Sequence, residues 1–297
     1  CCGDIGAFLA AYPNIQDNNQ CTPALILHGK ALYRHVPAFL ALCQEIINET
    51  IFTNKERLLD LLQQQYTLLQ NSLSRQALQY AVNEALGNLN LAGQLSQKWQ
   101  GLNFYYLIQK YTKAPEKLDL LIEQLGSLKN KILPGRQTDL VFSCDEKFFQ
   151  ELKSYDFYGL TKLPHKNRPL WQQSWQKTAP LAQGRIIAAP VAFTVLGFST
   201  LGYTHKDAPA LFVAAELLEN KVLHAQIREK GGAYGSGAHY LPAQASFYFY
   251  AFRDPNLSVT LDIFARANAL LLTESFTDRE LFEAQLKALQ AIDAPVT

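Results

Sequence analysis

Apolar positions in the first half of the chain recur mostly three and four residues apart, the spacing of helices that bury one face. "VPAFLALCQEIINETIF" (36–52) and "NKERLLDLLQQQYTLLQNSL" (54–73) both follow it. The second runs through Leu58, Leu61, Leu62, Tyr66 and Leu69, with Asn54 placed to cap it. Further helices are predicted over 75–88, 92–111 and 115–132. The last has Pro115 in its first turn and one stripe of Leu118, Leu121, Ile122, Leu125 and Leu128. "ALILHGKAL" (24–32) and "TDLVFSC" (138–144) read as strands, and "DEKFFQELKSY" (145–155) as a short helix. Residues 161–183 carry three prolines, many glutamines and little periodicity, which makes them a linker. The pattern restarts with "GRIIAAPVAFTVLGFST" (184–200), a strand whose Pro190 marks an edge or interruption. A helix over 207–230 follows, with Asp207 as its cap, and then the aromatic-rich strand "ASFYFYAFRDPN" (245–256), which ends in a turn.

Residues 26–63 overlay 250–287 without a gap at a constant shift of 224. Strand, turn and helix match in order, then "IFTNKE" against "SFTDRE", then a second helix. The expected fold is therefore α+β, with two homologous domains, each an antiparallel-rich sheet packed against helices. We place them at 1–160 and 184–297, each incomplete at one end, around the linker 161–183.

With 27 basic and 26 acidic side chains spread along the chain, no basic stripe exists to neutralise a phosphate backbone, which argues against a nucleic-acid partner. No run approaches the roughly 20 apolar residues of a bilayer crossing, so no membrane partner is expected and the chain reads as soluble. The five cysteines are odd in number and form no C-x-x-C pair, which favours reduced thiols. Methionine is absent, position 1 included. Processing of a longer polypeptide, or methionines present in a modified form, would account for that.

Most metal and nucleotide motifs are missing. His28, His35, His165, His205, His224 and His239 fall in neither H-E-x-x-H nor H-x-x-E-H, so no metal ligands are expected here. No phosphate loop, nucleophile elbow or dinucleotide fingerprint occurs. The remaining candidate is "LHAQIREKGGAYGSGA" (223–238). Its helix is expected to end at Lys230, with Gly231 and Gly232 supplying a left-handed turn. That brings Arg228 and Tyr234 towards one side, where a guanidinium and a phenol can both donate to a developing oxyanion. The plainer alternative is that Arg228 complements the helix C-terminus and Tyr234 fills a core gap.

This stretch resembles the C-terminal half of pitrilysin/insulinase-family zinc peptidases, most closely the presequence-protease branch. "FYAFRDPNLSVTLDIF" (249–264) resembles the strand, turn and helix that follow it there. "LAGQLSQKWQGLNFYYLIQ" (91–109), with Trp99, Gly101 and Leu102, is similar to a helical segment of the family's third domain. The resemblance runs along the whole chain. It implies most of the third and much of the fourth of four homologous domains, one half of a clamshell around a peptide chamber.

Carried over, the family's R-x-K-G-G-A-Y pattern falls on Arg228 and Tyr234, which implies that they reach the active site and contact substrate near the scissile bond. Gly231, Gly232 and Gly235 would be structural, and Asp254 a turn residue. The resemblance also implies a zinc cofactor whose ligands lie outside this segment, so the segment alone is expected to be inactive. The implied partners are a peptide substrate and the zinc-bearing N-terminal half, on the same chain or on a partner subunit. The implied compartment is a bacterial cytoplasm or an organelle matrix. The competing expectation is a non-catalytic peptide-binding or scaffold subunit of the same fold.

Overall fold

The computed structural model describes residues 2–133, 139–163 and 182–294; the expected linker at 161–183 falls mostly outside them. The described residues within 1–10, 24–66 and 107–173 form one compact unit, and those within 11–23, 67–106 and 174–297 a second. The units interleave along the chain rather than following one another.

The chain opens with β1 (Cys2–Pro13), which pairs with β2 (Cys21–Ala31). Helices α1 (Val36–Glu49), α2 (Lys55–Arg75), α3 (Ala77–Leu86), α4 (Leu91–Gln100), α5 (Leu102–Lys113), α6 (Leu118–Ile132) and α7 (Glu146–Ser154) follow. After the undescribed segment come β3 (Ala192–Ser199) and α8 (Ala208–Leu217), which continues as a π-helical stretch over Leu218–Glu229. β4 (Gly235–Leu241), β5 (Ser246–Asp254), α9 (Leu257–Thr273) and α10 (Asp278–Asp293) complete the order. The fold is α+β with small antiparallel sheets. Shifted by 224, β5, α9 and α10 fall on 22–30, 33–49 and 54–69, against β2, α1 and α2 at 21–31, 36–49 and 55–75. The strand–helix–helix unit occurs twice.

Two expected elements differ. Residues 139–143 form no strand. Leu140 and Phe142 instead pack beside Leu40, Leu152, Leu160 and Leu163, so the apolar run serves as a strap over a hydrophobic cluster. The helix expected over 92–111 breaks at Gly101, whose backbone is extended and whose N–H donates to Gln97 O. A Cβ at Gly101 would lie 2.5 Å from that same oxygen, so the close turn excludes larger residues.

In the second unit β5 is the central strand, with β3 and β4 antiparallel on either side. Alternation along β5 sends Phe247, Phe249 and Ala251 to a core shared with Leu223, Ile227, Ile263 and Phe264. It sends Tyr248, Tyr250 and Phe252 to the other face. Buried Asn90 ties α4 to the start of β5: its Oδ1 accepts from Gly93 N at 2.8 Å, and its Nδ2 donates to Gln244 O and Ser246 Oγ at 2.9 and 3.0 Å.

A capping box starts α10, with Glu280 N–H donating to Thr277 Oγ1 and Thr277 N–H to Glu280 Oε2. The Lys221 ammonium is paired with the other Glu280 oxygen. The lysine contact, then the Thr277 donors, hold the Glu280 carboxyl at about 2, against 4.5 when unperturbed. A depressed carboxyl contributes stability above its unfolded value, and that contribution is lost as pH falls through the folded one. The denaturation midpoint of Glu280→Gln should therefore lie below wild type at neutral pH, with the gap closing as pH falls from 4.5 towards 2. A gap independent of pH would refute the assignment.

Candidate functional site

The π-helical stretch buries Leu218, Val222, Leu223 and Ile227. These positions are separated by four, one and four residues. That spacing scatters across an α-helix but gathers on one face of the wider helix bonded from i to i+5. Lys230 N–H accordingly reaches Ala225 O at 3.2 Å. With Ile227 anchored in the core, Arg228 faces outward and is exposed.

Arg228 Nη1 lies 3.1 Å from His224 Nε2. A guanidinium only donates, so Nε2 accepts and the imidazole proton sits on Nδ1, which faces Glu229 Oε1 at 3.4 Å. His224 thus holds Arg228 one turn further along the helix. Weighing the histidines only as metal ligands misses this role. The position of His224, four residues before Arg228, is the signal that the sequence offers for it.

The helix closes with Gly232 N–H donating to Arg228 O and Ala233 N–H to Ile227 O, at 3.0 and 3.1 Å. The two glycines serve different ends. Gly232 takes the left-handed conformation, with φ +76°. Gly231 allows close approach, since a Cβ there would lie 2.6 Å from Ile227 O. A Cβ at Gly235 would overlap the Phe252 ring.

Tyr234 is 64% exposed, so it does not fill a core gap. Its N–H donates to Arg253 O at 3.3 Å, and its ring meets Phe252 edge to face at 5.4 Å. The Arg253 guanidinium lies 5.3 Å from the ring centroid. Arg253 adopts φ +51°, a strained value for a residue with a side chain. The following turn supports it: Asp254 Oδ1 accepts from Asn256 N at 2.8 Å, and Asn256 Nδ2 donates back to Gly231 O at 2.5 Å. Asp254 is therefore a turn residue, nearly fully buried, and its second carboxylate oxygen has no hydrogen-bond partner among the described residues. The β5–α9 turn clamps the glycine hinge and the tyrosine together.

Arg228 and Tyr234 are thus presented from the two sides of one hinge. No hydrogen bond joins them; each is held by its own neighbours, which leaves their donors available to a third group. Among the described residues, no cluster of three or more His, Cys, Asp or Glu could hold a metal, so the described part of this chain does not fit a zinc ion. No described helix is long and apolar enough to cross a membrane.

Residues 1–110 match the peptidase-associated family of M16 peptidases, subfamily C, and residues 196–297 match the PreP C-terminal domain. The chain is 27% identical over 290 residues to the mitochondrial presequence protease of Drosophila melanogaster, covering 95% of this chain and 27% of that protein. It is 29% identical over 296 residues to that of Gibberella zeae, covering 95% and 29%. It spans less than a third of the length of these relatives. The crystal structure of the periplasmic protease PqqL from Escherichia coli superposes with a TM-score of 0.47 at 16% identity, over 97% of this chain and 30% of that one. With both of its terminal regions matched in this way, the chain belongs to the pitrilysin/insulinase (M16) peptidase family, as a segment of its presequence-protease branch.

Proposed function

We propose that this chain is the substrate-binding part of a metal-dependent endopeptidase that degrades unstructured oligopeptides, and that it lends Arg228 and Tyr234 to a composite active site. The observation that carries this reading is the hinge, which aims two hydrogen-bond donors outward while occupying the rest of each side chain with supporting contacts. As the scissile carbonyl gains negative charge, the guanidinium and the phenol donate to its oxygen. Donors already in place need no reorganisation at that moment. The metal ligands lie outside this segment, on the same polypeptide or on a partner subunit, and 1–160 and 184–297 represent the third and fourth domains of the whole protein. The relatives' mitochondrial location supports a soluble compartment such as an organelle matrix, with a bacterial cytoplasm the alternative.

The full-length polypeptide should cut unstructured peptides, spare folded proteins and lose activity to a chelator, followed by mass spectrometry of the products. Peptide binding without cleavage in the presence of zinc would overturn the catalytic reading and leave a peptide-binding scaffold.

A further inference from the structure

The face of the β3–β5–β4 sheet that points away from the core carries a groove of about 620 Å³. One wall is α3, through Leu78 and Val82, and the floor is Tyr248, Tyr250 and Phe252 with His239 beside them. Each floor ring has a glycine as a cross-strand partner: Gly197 opposite Tyr248, Gly237 opposite Tyr250 and Gly235 opposite Phe252. No side chain from those partners covers the rings. Ring contacts continue from His239 through Tyr248, Tyr250 and Phe252 to Tyr234, with centroids 5.5, 6.1, 6.5 and 5.4 Å apart. The groove is therefore continuous with the hinge.

Its charge is one-sided. A Cβ on Gly237 would lie 2.6 Å from the Tyr250 hydroxyl and against Glu219 Oε2, so the phenol and the carboxylate converge over this glycine. Among the described residues, Glu219 and Glu216 share one counter-cation: Lys287 is paired with Glu216 and lies 3.4 Å from Glu219 Oε1. Burial lowers the His239 pKa despite the pull of both carboxylates, which favours its neutral form. No described lysine or arginine lines the groove. Stacked π faces beside a surplus carboxylate suit a planar, weakly hydrated cation with fork geometry better than a point-charge ammonium.

We propose that this groove is a guanidinium subsite: it takes an arginine side chain of the bound peptide, stacked on Tyr248 and Tyr250 and paired with Glu219. This rests on the peptide-degrading reading above.

The test uses the full-length polypeptide with a chelator present, so that bound peptide is not consumed. Fluorescence anisotropy compares an unstructured peptide carrying one arginine, placed at successive positions, with its citrulline counterpart, which keeps the shape and loses the charge. At the favoured position the arginine peptide should bind roughly tenfold more tightly. Glu219→Gln and Tyr250→Leu should each erase most of that ratio and leave citrulline binding unchanged, while Tyr250→Phe, which keeps the ring, should preserve most of it. A ratio of one in the wild type, or a ratio that survives both Glu219→Gln and Tyr250→Leu, overturns the subsite and leaves the peptide reading standing. If neither peptide binds, both fall.

Discussion

Replacing Tyr234 with phenylalanine in the full-length polypeptide should lower kcat roughly 100-fold and leave KM nearly unchanged, the usual cost of removing one donor to a developing oxyanion. The substitution isolates the hydroxyl. Every contact that holds Tyr234 is made by its ring or its backbone, with Phe252, with the Arg253 guanidinium and with Arg253 O, and all of these persist in phenylalanine. Packing and fold should be unaffected. Interactions made only in the transition state appear in kcat, whereas those made equally in the ground state appear in KM. A variant that raises KM alone would make Tyr234 a binding residue, and one with wild-type kinetics would remove it from the site. Arg228→Lys is the companion measurement: it keeps the charge but loses the fork that meets His224 and could meet the substrate at once.

The hinge was legible because its parts are local. A helix ending in two glycines, with an arginine before and a tyrosine after, follows from adjacent residues, and the structure adds only that the glycines act for different reasons. The clamp was not legible. Arg253, Asp254 and Asn256 read as a turn after a strand, and nothing in that string says the turn folds back onto Gly231, 25 residues earlier. Long-range hydrogen bonds of this kind leave no periodic trace. His224 lies between the two cases, since its spacing to Arg228 is visible while its tautomer and its Glu229 partner require coordinates.

At the level of elements, helices with a clear stripe and a good cap are predicted with nearly correct ends. Asn54 does cap α2, its Oδ1 accepting from Arg57 N at 2.9 Å. β1 is absent from the sequence reading, and the strand expected at 138–144 is absent over its described residues. Both concern strand pairing, which depends on a partner elsewhere in the chain rather than on the segment's own residues. The π-helical stretch is visible in principle. The spacing of Leu218, Val222, Leu223 and Ile227 departs from the α period, and that departure turns Arg228 outward.

Phe249→Ala should destabilise the second unit by about 3–5 kcal/mol, the range for deleting a fully buried aromatic ring. Phe249 is 1% exposed and stands among Phe264, Phe247 and Phe198, with centroids 5.5, 5.6 and 5.7 Å away, so the cavity left behind cannot collapse without moving three rings. Hydrogen exchange of the β5 amides in the full-length polypeptide would read the loss locally, where a melting curve would mix it with other domains. The informative control is Tyr248→Ala, one residue earlier on the same strand. Its ring lies on the groove face opposite Gly197 and is only partly buried, so the expected cost is nearer to about 1 kcal/mol. A large difference between these neighbours requires the two faces of β5 to do different work, one closing the core and the other left open to a ligand. Equal costs would mean that the outer rings are core as well, and the groove would then have no free face to offer.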